Sequence, residues 1–282
     1  TKMNFKNHPW KIFAICWMTG MCAGLSANLF SVLLVPIIND LADTTDKVML
    51  GQLGSYVLSS FLIGWALGGI VIGAASDLFG RVRSMAFAVF IFTLFSAIAA
   101  CTETLSQLAA CRFMMGLGVG GAMVNMSVLL SESWPTKPRA IAVGSLLTSY
   151  QAGVFASGML VHLSSNWRLS FAFGAFPIVL TAVILFLMQE KSKQTPFEIT
   201  PQVVSDKRSL VVGSVLFGSL LIAYWASISW IPTWIQDLAG TLGQEKSTAT
   251  MWHGIAAVGG CFVAGPLVTW MGRIRTMILA FS

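Results

Sequence analysis

Charged or amide side chains stand in or beside long uncharged runs at Asn28, Arg112, Asn125 and Gln151. A guanidinium presents five donors in a fixed fork, and an amide presents donors and acceptors together; at membrane depth such groups are costly and usually face a bundle interior or a watery cavity. Catalytic patterns are absent from the sequence, which holds no Walker A loop, HExxH pair or nucleophile elbow. His162 and His253 have no second His or carboxylate at ligand spacing. No metal, no cofactor and no enzymatic reaction are expected. Gly116, Gly118 and Gly121 spell GxGxxG, but they lie inside a long apolar run with no preceding strand, so close helix packing explains them better than a dinucleotide. Asn125-Met-Ser127 spells a glycosylation sequon at a depth where it would not be modified.

The elements that must hold these side chains are membrane helices. Of 282 residues, 56% are hydrophobic and 10% charged, against about 25% charged in soluble domains. A helix needs about 20 apolar residues to cross a hydrocarbon core. Uncharged runs at 12 to 39, 48 to 76, 84 to 102, 113 to 131, 140 to 167, 169 to 189, 209 to 236 and 247 to 272 give eight candidate spans. A ninth starts after Arg275 and stops at Ser282, and Thr1 stands where an initiating Met would, so a fragment of a longer chain is expected. The polar stretch before Trp10 is too short for a signal peptide, and the first run is read as a retained span. Cys16, Cys22, Cys101, Cys111 and Cys261 lack CxxC spacing and read as small apolar helix residues; a Cys101 to Cys111 disulfide is the remote alternative.

The net charge of +6 follows topology and not nucleic acid. With the N-terminus in the cytoplasm, alternate loops on that side collect Lys2, Lys6, Lys11, Arg81, Arg83, Lys137, Arg139, Lys191, Lys193, Lys207, Arg208, Arg273 and Arg275, leaving Lys47, Arg168 and Lys246 outside. Asp40, Asp43, Asp46, Glu103, Asp237 and Glu245 fall on the outer side. A charged connection with two prolines at 189–209 divides the chain into a six-helix bundle at 1–188 and the start of a second bundle at 210–282. Internal repetition agrees. Gly73, Gly80, Arg81 and Arg83 after the second span recur at the same offsets as Gly265, Gly272, Arg273 and Arg275 after the eighth, and tandem helical halves are a transporter trait.

The stretch Gly73-Ala-Ala-Ser-Asp77-Leu-Phe-Gly80-Arg81-Val-Arg83 resembles the G-x-x-x-D-x-x-G-R-[RK]-x-[RK] loop of the major facilitator superfamily, with Val82 in one basic position and Thr269 replacing the acid in the second copy. Arg112 through Gly121, Glu132 through Arg139, and Trp167-Arg-Leu-Ser-Phe171 are similar to R-x-x-x-G-x-G-x-G-G, E-x-x-P-x-x-x-R and W-R-x-x-F of its sugar and organic-acid porters. The resemblance implies an all-α membrane fold and alternating-access, proton-coupled symport of a small polar metabolite, an organic anion or sugar, with H+ and lipid as expected partners, as a monomer in the cell membrane. Drug or metabolite export, or a non-transporting sensor or remnant, are the alternatives.

It also implies roles. Gly73, Asp77, Gly80, Arg81, Arg83, Glu132 and Arg139 would form a conformational loop system, or else only a topology anchor, with Asp77 capping a helix or pairing with an Arg, and Glu132 pairing with Arg139. Arg112 would serve gating or proton coupling, or else snorkel to the outer interface. Asn28, Asn125 and Gln151 would face substrate, or else join helices. Tyr224 and Trp230, with Tyr150 and Trp225, would add a flat wall or merely pack. The first span holds no Asp or Glu between 12 and 39, and Ala122 stands where many organic-acid symporters carry Glu, which weakens proton coupling through those positions.

Overall fold

The computed structural model describes residues 9–44, 46–134, 139–164, 166–188, 229–239 and 245–272, with scattered positions at 211–228 and 275–279. The 189–209 connection lies outside the described residues, as does the side chain of Arg139. The described elements are α-helices: α1 Pro9–Ala42, α2 Lys47–Phe79, α3 Arg81–Ala99, α4 Leu105–Ser133, α5 Arg139–Leu163, α6 Trp167–Phe173, α7 Ile178–Leu187, α8 Ile231–Ala239 and α9 Glu245–Met271. Five described stretches are long and apolar enough to cross a membrane, namely α1, α2, α3, α4 and the stretch Trp167–Leu187.

Local chemistry sets the ends. Asp46 caps α2 by accepting from the Val48 and Met49 amides at 3.4 and 3.2 Å. Thr104 caps α4 through the Gln107 amide at 3.3 Å, while Gln107 Oε1 accepts from the Glu103 amide at 3.1 Å. These are the orphan donors that every helix start must satisfy. The cap places Arg112 two turns inside α4, whereas counting uncharged residues alone starts that span only after it. The expected span at 169–189 begins earlier and is broken into α6 and α7 around Gly174 and Pro177, where proline has no amide to continue the ladder.

The repeated loop is legible in the backbone. Gly80 and Gly272 each follow a long helix and each has positive φ, +98° and +82°, a region that glycine enters without steric cost. After each turn the chain becomes helical in the same way: the Ser84 amide donates to the Gly80 carbonyl, and the Thr276 amide to the Gly272 carbonyl, both at 3.1 Å.

Glycines bring the helices to backbone distance, as membrane packing favours. A Cβ on Gly68 would stand 2.0 Å from the Leu117 carbonyl oxygen, and one on Gly116 2.1 Å from that of Phe61, so α2 and α4 interlock. Gly24 and Gly153 do the same for α1 and α5, and Gly254 brings α9 against Phe155 on the other side of α5. The core between them includes Phe30, Phe61, Phe92 and Phe171, all buried. The five cysteines are free, so Cys101 and Cys111 form no disulfide.

Candidate functional site

Arg112 is completely buried where α1, α2 and α4 meet. Its Nη1 donates to the Ser26 carbonyl at 2.9 Å and its Nη2 to the Ala27 carbonyl at 3.0 Å. The guanidinium carbon lies 4.1 Å from the Phe61 ring centroid and 5.4 Å from that of Phe30. Carbonyl dipoles and ring faces are thus the cation's surroundings, in place of an acid. Among the described residues no carboxylate pairs with it, and its Nε donor has no partner. This is a buried charge facing the bundle interior, not one that snorkels to an interface.

An aromatic run leads away from this cation. Phe61 meets Trp65 edge to face at 5.7 Å, and Trp65 meets Tyr150 at 5.8 Å and Trp225 at 5.3 Å. Trp225 in turn touches Tyr224 at 5.9 Å. Among the described residues the buried Tyr150 hydroxyl has no hydrogen-bond partner. Gln151 Nε2 donates to Tyr224 Oη at 3.4 Å, Tyr224 Oη stands 3.5 Å from His253 Nε2, and among the described residues Gln151 Oε1 has no partner. Tyr224 and Trp225 come from later in the chain than residues 189–209, and His253 from α9, so this wall combines side chains of α2 and α5 with later ones.

The other residues singled out by sequence divide. Asn28 is committed to α5, donating to Ser157 Oγ at 3.0 Å, which is the helix-joining arrangement. Asn125 donates to its own helix, to the Gly121 carbonyl at 2.9 Å, while its buried Oδ1 has no partner among the described residues. Trp230 packs against Gly54 of α2. Phe30, Phe61 and Trp65 do not stand out in the sequence; Trp65 lies three residues before Gly68, and the tight α2–α4 glycine seam is the signal that would have found it.

At the opposite ends of α2 and α4 the loop residues assemble around Arg81. Its Nη2 pairs with Asp77 Oδ1 at 2.6 Å and its Nε approaches Glu132 Oε1 at 3.7 Å; it also donates to Ser76 Oγ. Gly73 sits nearby, its carbonyl accepting from Ser76 Oγ at 2.6 Å, and Arg83 is exposed. Glu132 thus approaches Arg81, while its expected partner Arg139 has its side chain outside the described residues. A second polar knot closes the other face. Arg168 Nη2 pairs with Asp40 Oδ2 at 3.1 Å, and Nη1 donates to the Thr102 and Ala100 carbonyls at 2.8 and 3.2 Å. Trp167 Nε1 donates to the same Asp40 at 3.1 Å. The W-R pair thus ties α1, α6 and the α3–α4 turn together. On that face Lys47 of α2 pairs with Asp237 of α8 at 2.7 Å, and Lys246, whose pKa burial pushes down, donates to Gln236 at 3.1 Å.

The family model described as Major Facilitator Superfamily matches residues 16–282. Among curated proteins, the chain is 28% identical over 280 residues to the 4-hydroxybenzoate transporter PcaK of Pseudomonas aeruginosa, covering 84% of this chain and 61% of that protein. It is 25% identical over 287 residues to the cis,cis-muconate transport protein of Acinetobacter baylyi, covering 95% and 68%. It is 22% identical over 316 residues to the gallate transporter of Pseudomonas putida, covering 98% and 69%. The chain thus spans 61% of the length of PcaK and somewhat over two thirds of the other two. Each of these relatives carries the name of a transporter and none that of an enzyme. In fold it is similar to the D-xylose-proton symporter, with a TM-score of 0.71 at 18% identity over 92% of this chain and 69% of that one. A bacterial homolog of human lysosomal transporter Spinster gives a TM-score of 0.74 at 18% identity, covering 93% and 61%.

Proposed function

The chain belongs to the major facilitator superfamily and is a multi-pass membrane protein, and from that premise we propose that the protein it represents transports a small organic anion by alternating access. The observation that carries this reading is Arg112. It is a buried cation with a free donor and no described carboxylate partner, at the head of an aromatic wall. Burying an unpaired charge is costly, so a site that keeps one has a use for it. A carboxylate-bearing solute supplies the missing charge through a charge-assisted hydrogen bond, and the faces of Trp65 and Tyr150 suit a planar unsaturated skeleton. The names of the relatives, for 4-hydroxybenzoate, cis,cis-muconate and gallate, support that solute class.

In this reading residues 1–188 form the first bundle, 189–209 the cytoplasmic connection and 210 onward the second bundle. The protein works as a monomer in the cell membrane with its N-terminus in the cytoplasm, driven by a solute or proton gradient. Asp77, Arg81 and Glu132 brace the cytoplasmic ends of α2 and α4 as the bundles rock. Uptake of labelled 4-hydroxybenzoate, cis,cis-muconate and D-xylose by the full-length protein in proteoliposomes tests the class. Flux of the two acids and not of the sugar is the expected result; sugar flux alone refutes the anion reading.

A further inference from the structure

A polar chain stands at the far end of the aromatic run that starts beside Arg112. Phe61 lies against the guanidinium, Trp65 and Trp225 continue the run, and Tyr224 ends it. There Gln151 Nε2 donates to Tyr224 Oη at 3.4 Å, and Tyr224 Oη stands 3.5 Å from His253 Nε2, with the two ring centroids 6.4 Å apart. Both separations exceed the usual range of about 2.7–3.2 Å, so the chain is loose enough for a solute oxygen to replace either contact. Tyr224 is exposed, and Gln151 and His253 are half-buried.

The charge on His253 changes what this chain offers. With the ring neutral and Nε2 bare, the Tyr224 hydroxyl donates to it, and the chain from Gln151 to His253 keeps its hydrogens within itself. With the ring protonated, both ring nitrogens carry hydrogens, Nε2 donates to Tyr224 Oη, and that oxygen accepts from both neighbours. The Tyr224 hydrogen is then turned outward, beside a new positive charge. Histidine makes this change near neutral pH. Ionisable groups on the elements around it have contacts of their own: His162 of α5 meets Ser247, Lys246 meets Gln236, Asp237 of α8 pairs with Lys47, and Asp40 of α1 pairs with Arg168. Glu245 stands at the first residue of α9. Among the described residues the ionisable group that the His253 ring meets is Tyr224, with Tyr150 of α5 beyond it across the Trp225 ring.

We propose that this chain is a second anion pole, switched on by protonation of His253, and that the site therefore takes unsaturated dicarboxylates, with one carboxylate at Arg112 and the other at His253 and Tyr224. The proposal rests on the anion reading above. A protonated imidazole and a phenol hydroxyl give the second carboxylate two donors, one of them charged, and charge-assisted bonds are the stronger kind. The rings between the poles suit a flat conjugated skeleton. A neutral His253 gives the second carboxylate no opposite charge, so dicarboxylate binding is strongest below the range in which histidine titrates and weakens as pH rises through it.

The test measures equilibrium binding of labelled cis,cis-muconate and of its monomethyl ester, the same skeleton with one carboxylate, to the purified full-length protein. Binding is compared at about pH 6 and about pH 8, either side of the ordinary histidine value near 6.5 and well above that of a carboxyl near 4. The second pole predicts that the diacid gains at least about tenfold in affinity at the lower pH, the effect of one hydrogen bond to a charged group, while the ester gains far less. His253→Gln keeps a hydrogen-bonding side chain without a titratable charge, and should bring the diacid's gain down to that of the ester. Equal gains for diacid and ester in the parent overturn the proposal, and that comparison needs no variant to fold. A full gain that survives in folded His253→Gln also overturns it. Failure of both probes to bind at either pH refutes the anion reading itself, whereas an ester that binds beside a diacid with no preference for the lower pH removes the second pole alone.

Discussion

The Arg112 guanidinium carbon lies 4.1 Å from the centre of the Phe61 ring, with its fork held by the carbonyls of Ser26 and Ala27. The interaction depends on a flat, delocalised cation. Arg112→Lys keeps the charge and loses the fork, so binding of an anionic solute should weaken about 10- to 100-fold, the loss of one hydrogen bond to a charged group, worth about 1.5–3 kcal/mol. Equilibrium binding of labelled 4-hydroxybenzoate to the purified full-length protein measures this. Unchanged affinity would mean that the charge alone suffices, or that the solute sits elsewhere.

The α2–α4 seam is set by backbone approach. Gly68→Ala drives a methyl to 2.0 Å from the Leu117 carbonyl oxygen, whereas Gly51 has nothing within 4 Å. Overpacking of this kind costs about 1–3 kcal/mol. The Gly68→Ala variant should melt several degrees lower in detergent, and Gly51→Ala should melt with the parent. Equal melting of the two variants would show that the seam yields.

Arg81 serves two acids, Asp77 at 2.6 Å and Glu132 at 3.7 Å. Removing either should partly disable the other. Asp77→Asn and Glu132→Gln should therefore combine non-additively, with a coupling of about 0.5–1 kcal/mol, at the low end for residues sharing a partner because the acids are partly exposed. Denaturation of the two single variants and the double variant gives that number, and strict additivity would separate Glu132 from the Arg81 system.

Lys47 and Asp237 are both well exposed, at 76% and 53% of their side-chain surface, although they join α2 to α8 at 2.7 Å. A pair this wet contributes little to stability. Lys47→Ala should leave the melting temperature nearly unchanged, in low salt and in high salt alike. A drop of several degrees would reveal a buried or networked pair.

The fold is legible in the sequence where charge and glycine speak directly. Uncharged runs locate the helices, and the spacing of Gly73, Gly80 and Arg81 anticipates a turn that recurs at Gly272 with the same positive φ. Helix starts are misplaced where a charged residue lies inside a helix, as Arg112 does two turns after the Thr104 cap, because counting apolar residues cannot register a cap. The sixth run does not announce its break, since Gly174 and Pro177 are tolerated within membrane helices when neighbours satisfy the freed groups. Of the site, Arg112, Gln151 and Tyr224 stand out by type. Phe61 and Trp65 do not, because aromatic residues occur throughout such helices and only the helix-to-helix register shows which of them face a cation. Asn28 and Asn125 show the converse: amides at membrane depth are visible, but whether each meets a solute, a neighbouring helix or its own backbone depends on rotation about the helix axis.

The most direct measurement compares uptake of labelled 4-hydroxybenzoate with that of the uncharged 4-hydroxybenzamide by the full-length protein, in the parent and in Arg112→Gln. The account predicts that the parent moves the acid and not the amide, and that Arg112→Gln abolishes acid uptake while the protein still folds and inserts. Uptake of the amide at the rate of the acid, or acid uptake that survives in the folded Arg112→Gln variant, would contradict the claim that Arg112 recognises the anion.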